Sequence, residues 1–233
     1  MKWSADIIFD TMLILYRGAI GDNAVHHHAT LQIIIALEGE LTVRDGGKVL
    51  HAAHAMYIRP GVPHQVLPAV NAFMALVEPQ CGLAQSIIAG LPEGDIGILP
   101  EAMREAFIAV PSAAALASVI MPDAFPVSLD PRLVTALDLL SYASLADGVG
   151  WAARKAGLSE SRLRAIAKQQ LGVPLSKWLT WKALWRSVEA IRNGASLAAA
   201  AVDGGFVDQA HFSKTLKRTV GFAPSVLANA VHP

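Results

Sequence analysis

A single pattern, written twice in the last hundred residues, constrains this chain more than any other feature. Each copy has a short helical segment, a glycine stop, a helix-capping residue and a longer helical segment closed by another glycine. In the first copy a short helix over 149–156 ends at Gly157, and Ser159 caps a second that runs to Leu171 and stops at Gly172. In the second, Ser196 caps an Ala-rich helix ending at Gly204-Gly205, and Asp208 caps another through Val220, stopped by Gly221. Ser and Asp accept from the free amides of a first turn, and glycine tolerates the left-handed residue that ends a helix. One long helix, about 174–192, joins the copies. A further helix precedes them at Asp130-Pro131, with Leu133, Val134, Leu137, Leu140 and Leu145 at helical spacing. Pro224 begins a last short helix.

The first ninety residues have a different grammar. Short apolar runs at 12–16, 32–37, 41–44, 48–51, 56–58 and 72–77 are separated by Gly, Asp, Asn and Pro, which reads as strands. Asp45-Gly46-Gly47 predicts a hairpin turn, with the positive φ on a glycine. Strands at this spacing argue for a small antiparallel barrel or sandwich. Residues 85–130 carry repeated prolines and two candidate helices, 101–110 and 112–120, suited to a linker and a dimer contact. The expectation is therefore an α+β chain of two domains: an antiparallel β-barrel over 1–95, a helical linker over 96–130 and an all-α domain over 131–233.

Net charge is zero, yet its distribution is uneven. Residues 1–130 hold six Lys/Arg against thirteen Asp/Glu, and 131–233 hold thirteen against six. An acidic half joined to a basic half is expected when only one domain meets a polyanion. The 53% hydrophobic content excludes a disordered chain. The lone Cys81 forms no internal disulfide, no apolar run approaches the roughly 20 residues of a membrane helix, and no signal peptide is legible. The expected location is the cytoplasm, with no membrane partner.

In a helix-turn-helix unit the first helix braces the second, whose outer face enters the major groove of duplex DNA. Leu163, Ile166 and Ala167 fall on the inner face of the first unit's second helix, leaving Ser161, Arg164, Ala165 and Lys168 outside. In the second unit Phe212, Thr215 and Leu216 are inward, while Gln209, His211, Ser213, Lys214 and Lys217 lie toward the surface. The segments Gly205-Phe206-Val207-Asp208-Gln209-Ala210-His211-Phe212-Ser213-Lys214 … Gly221-Phe222-Ala223-Pro224 and Leu158-Ser159-Glu160-Ser161-Arg162-Leu163 … Leu171-Gly172-Val173-Pro174-Leu175 resemble the two motifs of the AraC/XylS family of transcription regulators. That resemblance implies base or phosphate contacts at Ser161, Arg164, Gln209, His211, Ser213 and Lys214, a double-stranded operator, a homodimer, and RNA polymerase among the partners. Two departures weaken individual contacts: Lys214 stands where the family usually has Arg, and Ala165 where many relatives carry Arg. The second unit should read more of the sequence.

His26-His27-His28-Ala29-Thr30-Leu31-Gln32, followed by Arg59-Pro60-Gly61-Val62-Pro63-His64, resembles the two motifs of the cupin barrel. The cupin metal set would fall on His26, His28, Gln32 and His64. Residues 26, 28 and 32 share strand parity, so an unbulged strand would aim all three inward, with Ile34, Ala36 and Met74 lining the same cavity. The resemblance implies a sensor domain over 1–95 with a divalent transition metal at this place; a small-molecule effector hydrogen-bonded by the histidines, or a polar pocket merely inherited with the fold, are the other readings. Gln32 replaces the usual Glu, and Arg59 the usual Pro; both departures speak against an enzyme. A cupin metalloenzyme of the dioxygenase kind, and an effector-independent regulator whose barrel serves only dimerisation, are the alternatives. His27 is expected to face solvent, His51 and His54 to be surface residues, and Trp178, Trp181 and Trp185 to be core staples of the long helix.

Overall fold

The computed structural model describes residues 4–10, 12–109, 129–141, 148–221 and 224. The chain divides into two compact units, Met1–Val127 and Ser128–Pro233.

The first unit holds β1 (Ser4–Asp10), β2 (Leu13–Ile20), β3 (Leu31–Ala36), β4 (Leu41–Asp45), β5 (Leu50–Ala53), β6 (Ala55–Ile58), β7 (His64–Val66), β8 (Ala69–Val77), α1 (Gly82–Gly90), β9 (Ile96–Ile98) and α2 (Glu101–Ala109). The strands form two antiparallel sheets, ordered β1-β2-β8-β3-β6-β9 and β5-β4-β7. Strand β3, between β6 and β8, is buried along its whole length, so it separates two cores. Leu31, Ile33 and Ile35 pack with Leu83, Ala84 and Ile87 of α1 and with Ala106 and Phe107 of α2. Ile34 and Ala36 point the other way, onto Leu41, Val43, Ala53 and Val66 of the smaller sheet. Alternation along a strand puts Gln32 on that second face, inside an otherwise apolar interior. Residues 96–109, read from the sequence as linker, supply β9 as the edge strand of the larger sheet and α2 as a lid on its first core. The candidate helix over 112–120 lies outside the described residues.

At the β4–β5 hairpin the amide of Lys48 donates to the Asp45 carbonyl and that of Val49 to Asp45 Oδ1. The positive φ falls on Lys48 (70°), while Gly46 and Gly47 stay at negative φ. The expected hairpin exists, but its left-handed residue follows the glycines, as in a turn that closes through a bulge.

The second unit is all helical: α3 (Pro131–Ser141), α4 (Gly148–Lys155), α5 (Glu160–Leu171), α6 (Leu175–Arg192), α7 (Leu197–Gly204) and α8 (Gln209–Val220). The expected caps are in place. Ser159 Oγ accepts from the Arg162 amide, Ser196 Oγ from Ala199 and Asp208 Oδ1 from His211. Gly172 and Gly221 close the two second helices in left-handed conformation, at φ 76° and 82°. Leu145 and nearly all of the short helix expected from Pro224 lie outside the described residues.

Helix α6 contacts α3, α5, α7 and α8 and so joins the two helical pairs. Trp178 and Trp181 are buried on it; Trp185 is half-buried, with the Lys182 ammonium 5.9 Å from its ring centre. From the same helix Arg186 donates to the carbonyl of Ser141, the last residue of α3, at 2.8 Å, and to that of Gly204, the last of α7, at 3.0 Å. Terminal carbonyls lack helical partners and carry the negative end of the helix dipole, so one guanidinium satisfies two helix ends. Its partial burial lowers the Arg186 pKa from the usual value. Gly204 lets α7 approach α6 closely, because a Cβ there would stand 2.8 Å from the Ala183 carbonyl oxygen.

Replacing Arg186 by Met keeps the aliphatic stem and removes both bonds. Urea unfolding followed by tryptophan fluorescence should show a loss of about 2–3 kcal/mol, the range for hydrogen bonds to a charged group; an unchanged midpoint would remove this role from Arg186.

Candidate functional site

His26, His28, Gln32 and His64 meet at one place in the first unit. The pairing of residues 26 and 64 is an isolated β-bridge, with both amides donating across it at 2.8 Å. It sets the two imidazoles side by side, their ring centres 4.4 Å apart. His28 joins them at 5.8 Å from His26 and 5.1 Å from His64. Its carbonyl accepts from the Gly61 amide (2.8 Å), which ties the 59–61 turn to the first motif. Gln32 comes from β3, which begins at Leu31, and His64 opens β7, whereas His26 and His28 lie outside the named strands. The shared parity of 26, 28 and 32 along one strand is therefore not what gathers them: a bend at residues 29–30 and the bridge to His64 do so.

The hydrogen bonds fix which nitrogen of each ring is protonated. His26 Nδ1 lies 2.9 Å from the Ala24 carbonyl, His64 Nδ1 2.9 Å from that of Val62, and His28 Nδ1 3.1 Å from that of Thr30. Thr30 Oγ1 adds a second neighbour to His28 Nδ1 at 2.8 Å. A carbonyl oxygen only accepts, so each Nδ1 carries the proton and each neutral ring turns the lone pair of Nε2 inward. Burial holds the rings neutral at pH 7: it lowers the pKa of His26 and of His28 to about 4 and that of His64 well below the usual value, with the neighbouring imidazoles adding to the effect at His28 and His64. Between them stands Gln32 Oε1, 2.8 Å from His28 Nε2 and 2.9 Å from His64 Nε2. An acceptor thus faces two acceptors. A cation among the four atoms relieves the conflict. Rotating the amide, so that its two N–H groups donate to the two imidazoles, does so too, but gives up the Nε2–H contact with Met74 Sδ at 3.1 Å.

The three histidines can each offer one ligand atom, all within 4.8 Å of one another. Ile34 and Ala36 belong to the core on this face, with Met74 packed against it. His27 is half-buried, His51 pairs with Asp45 at 3.2 Å and His54 bonds the Gly39 carbonyl, apart from the trio. Sequence reasoning missed Thr30 and the three carbonyls that orient the rings. Thr30 stands within the quoted motif; the carbonyls have no side-chain signature.

The second unit presents the outer faces of α5 and α8. Ser161, Arg164 and Lys168 are exposed on α5, over the buried Leu163, Ile166 and Ala167. Arg164 is held by Glu160 one turn earlier, Nη2 to Oε1 at 2.5 Å, with both side chains about half exposed. On α8, Gln209, His211, Lys214 and Lys217 are exposed and Ser213 is half-buried, over Phe212, Thr215 and Leu216. The His211 ring meets the buried Phe206 edge-on at 5.2 Å. Arg218, also exposed, extends the basic end of α8 and was not singled out from the sequence.

Residues 152–230 match the family described as "Helix-turn-helix domain". No curated protein sequence matches the chain. The crystal structure of ToxT from Vibrio cholerae O395 is similar over 94% of this chain and 98% of that one, with a TM-score of 0.58 at 11% identity. Wild-type ToxT from V. cholerae strain SCE256, bound to an unsaturated fatty acid, is similar over 93% and 94%, with a TM-score of 0.60 at 11% identity. At that identity the likeness is one of fold. Among the described residues no helix is long and apolar enough to cross a membrane. The family match over 152–230 and the two helical pairs on one connector make the second unit a helix-turn-helix domain of the AraC type, and the chain a DNA-binding transcription regulator.

Proposed function

We propose that the first unit senses a divalent transition metal, alone or as the anchor of a small anionic effector, and that its occupancy sets the grip of the second unit on DNA. The observation that carries this reading is the outward pinning of all three Nδ1–H groups on backbone carbonyls. That arrangement orients metal-ligating histidines and raises their basicity. The Nε2 atoms of His26, His28 and His64 and Gln32 Oε1 would hold the ion, which would supply the positive charge that four converging acceptors lack. Three imidazoles and a neutral amide suit the later first-row metals. Gln32 leaves the set without the anionic ligand of the cupin pattern, which supports a sensor over an enzyme. That ToxT binds an unsaturated fatty acid supports a small-molecule effector for a chain of this fold. Occupancy can shift DNA affinity only by the ligand's differential affinity for the two states, typically 5–150-fold. A homodimer on a two-part operator, in reach of RNA polymerase, completes the reading.

Within it, α5 and α8 enter successive stretches of major groove, with Ser161, Arg164, Lys168, Gln209, His211, Ser213, Lys214 and Lys217 toward bases and phosphates. On a duplex selected from random sequence by the full chain, Gln209→Ala should cost about 1–3 kcal/mol of affinity. Lys214→Ala should also flatten the salt dependence by about one phosphate contact. Parental binding by both variants would sink the contact assignment.

After dialysis against excess Zn²⁺ or Co²⁺, elemental analysis should find about one ion per parent chain and at most a tenth of that in His28→Ala. Negligible metal in both would leave the rotated-amide network as the resting state and end the metal reading.

The buried trio also links stability to pH in the metal-free protein. Unfolded imidazoles take up protons below about 6.5, whereas folded His26 and His28 stay neutral down to about 4. The unfolded chain then binds more protons, so stability is complete above about pH 7 and falls as pH drops from 6.5 toward 4. Urea unfolding at pH 7.5 and 5 should differ by several kcal/mol, with a smaller difference in His28→Ala.

A further inference from the structure

Val207 is 86% exposed, the highest value for a large hydrophobic residue among those described. It directly precedes Asp208, the cap of α8. A residue in that place often packs against the fourth residue of the helix, here Phe212. Phe206, one position earlier, makes that contact instead: it is 5% exposed, its ring centre lies 5.5 Å from that of Phe212, and it also takes the edge of His211. Val207 is thereby relieved of any packing role and turned to solvent at the leading end of the helix. Ala210 in the first turn is exposed as well, between the exposed Gln209 and His211. The tip of α8 thus carries an apolar spot within a polar, basic face. The tip of α5 differs, since Glu160 and Arg164 form an ion pair there.

We propose that Val207, with Ala210 beside it, reads a thymine through its 5-methyl group in the half-site of the second unit. The inference rests on α8 being the helix that enters the major groove. The leading end of such a helix meets base edges, and thymine is the one base that presents a methyl group there. Burying a branched side chain against that methyl removes apolar surface of both from water, and cytosine at the same position leaves Val207 facing a bare ring edge. Val207 supplies discrimination that Gln209 and Lys214, both hydrogen-bonding, do not.

The test uses full-length protein and a duplex it selects from random sequence. Each thymine of the second half-site is replaced singly by deoxyuridine, which keeps every hydrogen-bonding group and lacks only the methyl. At one position the parent should lose about fivefold or more in affinity. Val207→Ser should bind the unmodified duplex that much more weakly and be indifferent to the replacement, while Gln209→Ala should bind weakly yet remain sensitive to it. The exposure of Val207 makes the serine variant fold as the parent does, which its thermal unfolding checks. The proposal is overturned if no replacement matters, or if Val207→Ser keeps the parent's sensitivity. It also falls if Val207→Ser selects the parental motif and loses only transcription with purified polymerase, which would make the spot a protein contact. Parental binding by Gln209→Ala would instead overturn the recognition-helix reading itself.

Discussion

Two helices can read one duplex together only if something fixes the distance and angle between them, and in this chain that is the packing around α6. Trp178 and Trp181 on it are buried, and Gly204 lets α7 seat directly against its backbone. Arg186 completes the arrangement by donating to the last carbonyls of α3 and α7. A flexible connector would let each pair bind DNA separately. With the connector fixed, the second pair adds its contacts without repeating the entropic cost of association.

The first unit obeys an opposite constraint, a polar cluster inside an apolar interior. Burying three imidazoles and an amide is unfavourable unless every donor and acceptor finds a partner. The outer nitrogens do so through carbonyls of the very segments that carry the rings, each two residues from its histidine. Orientation of the trio is thus built into local backbone, and the inner nitrogens are left facing Gln32. The site is most demanding at that amide, whose oxygen meets two of the inner nitrogens at once.

Local chemistry decides how much of this was legible in the sequence. The second unit was read nearly element by element because Ser159, Ser196 and Asp208 announce helix starts, glycines announce ends, and the 3.6 period identifies the buried face. The first unit was read in part. Strand β7 has three residues, and β9 lies in a segment whose prolines suggest a linker. Helix α1 is capped by Cys81, whose sulfur accepts from the Ala84 amide at 3.4 Å, a cap the sequence does not advertise. Strand β1 is a short apolar run between aspartates and becomes a strand only by pairing along β2. The four residues of the histidine site were legible as a set, but the bridge between positions 26 and 64 depends on pairing across nearly forty residues, which no local pattern encodes.

The same strand order has a consequence in time. Strand β8 pairs with β2, joining Leu13 to Val77, so the larger sheet closes only after most of the first unit has been gathered. Helix α6 reaches partners less distant in sequence, its bond from Arg186 to Ser141 spanning 45 residues. Folding slows as contacts become more distant along the chain. The helical unit needs the shorter search but is made last, and at about 5–20 residues per second its synthesis alone leaves the slower sheet several seconds in which to close first.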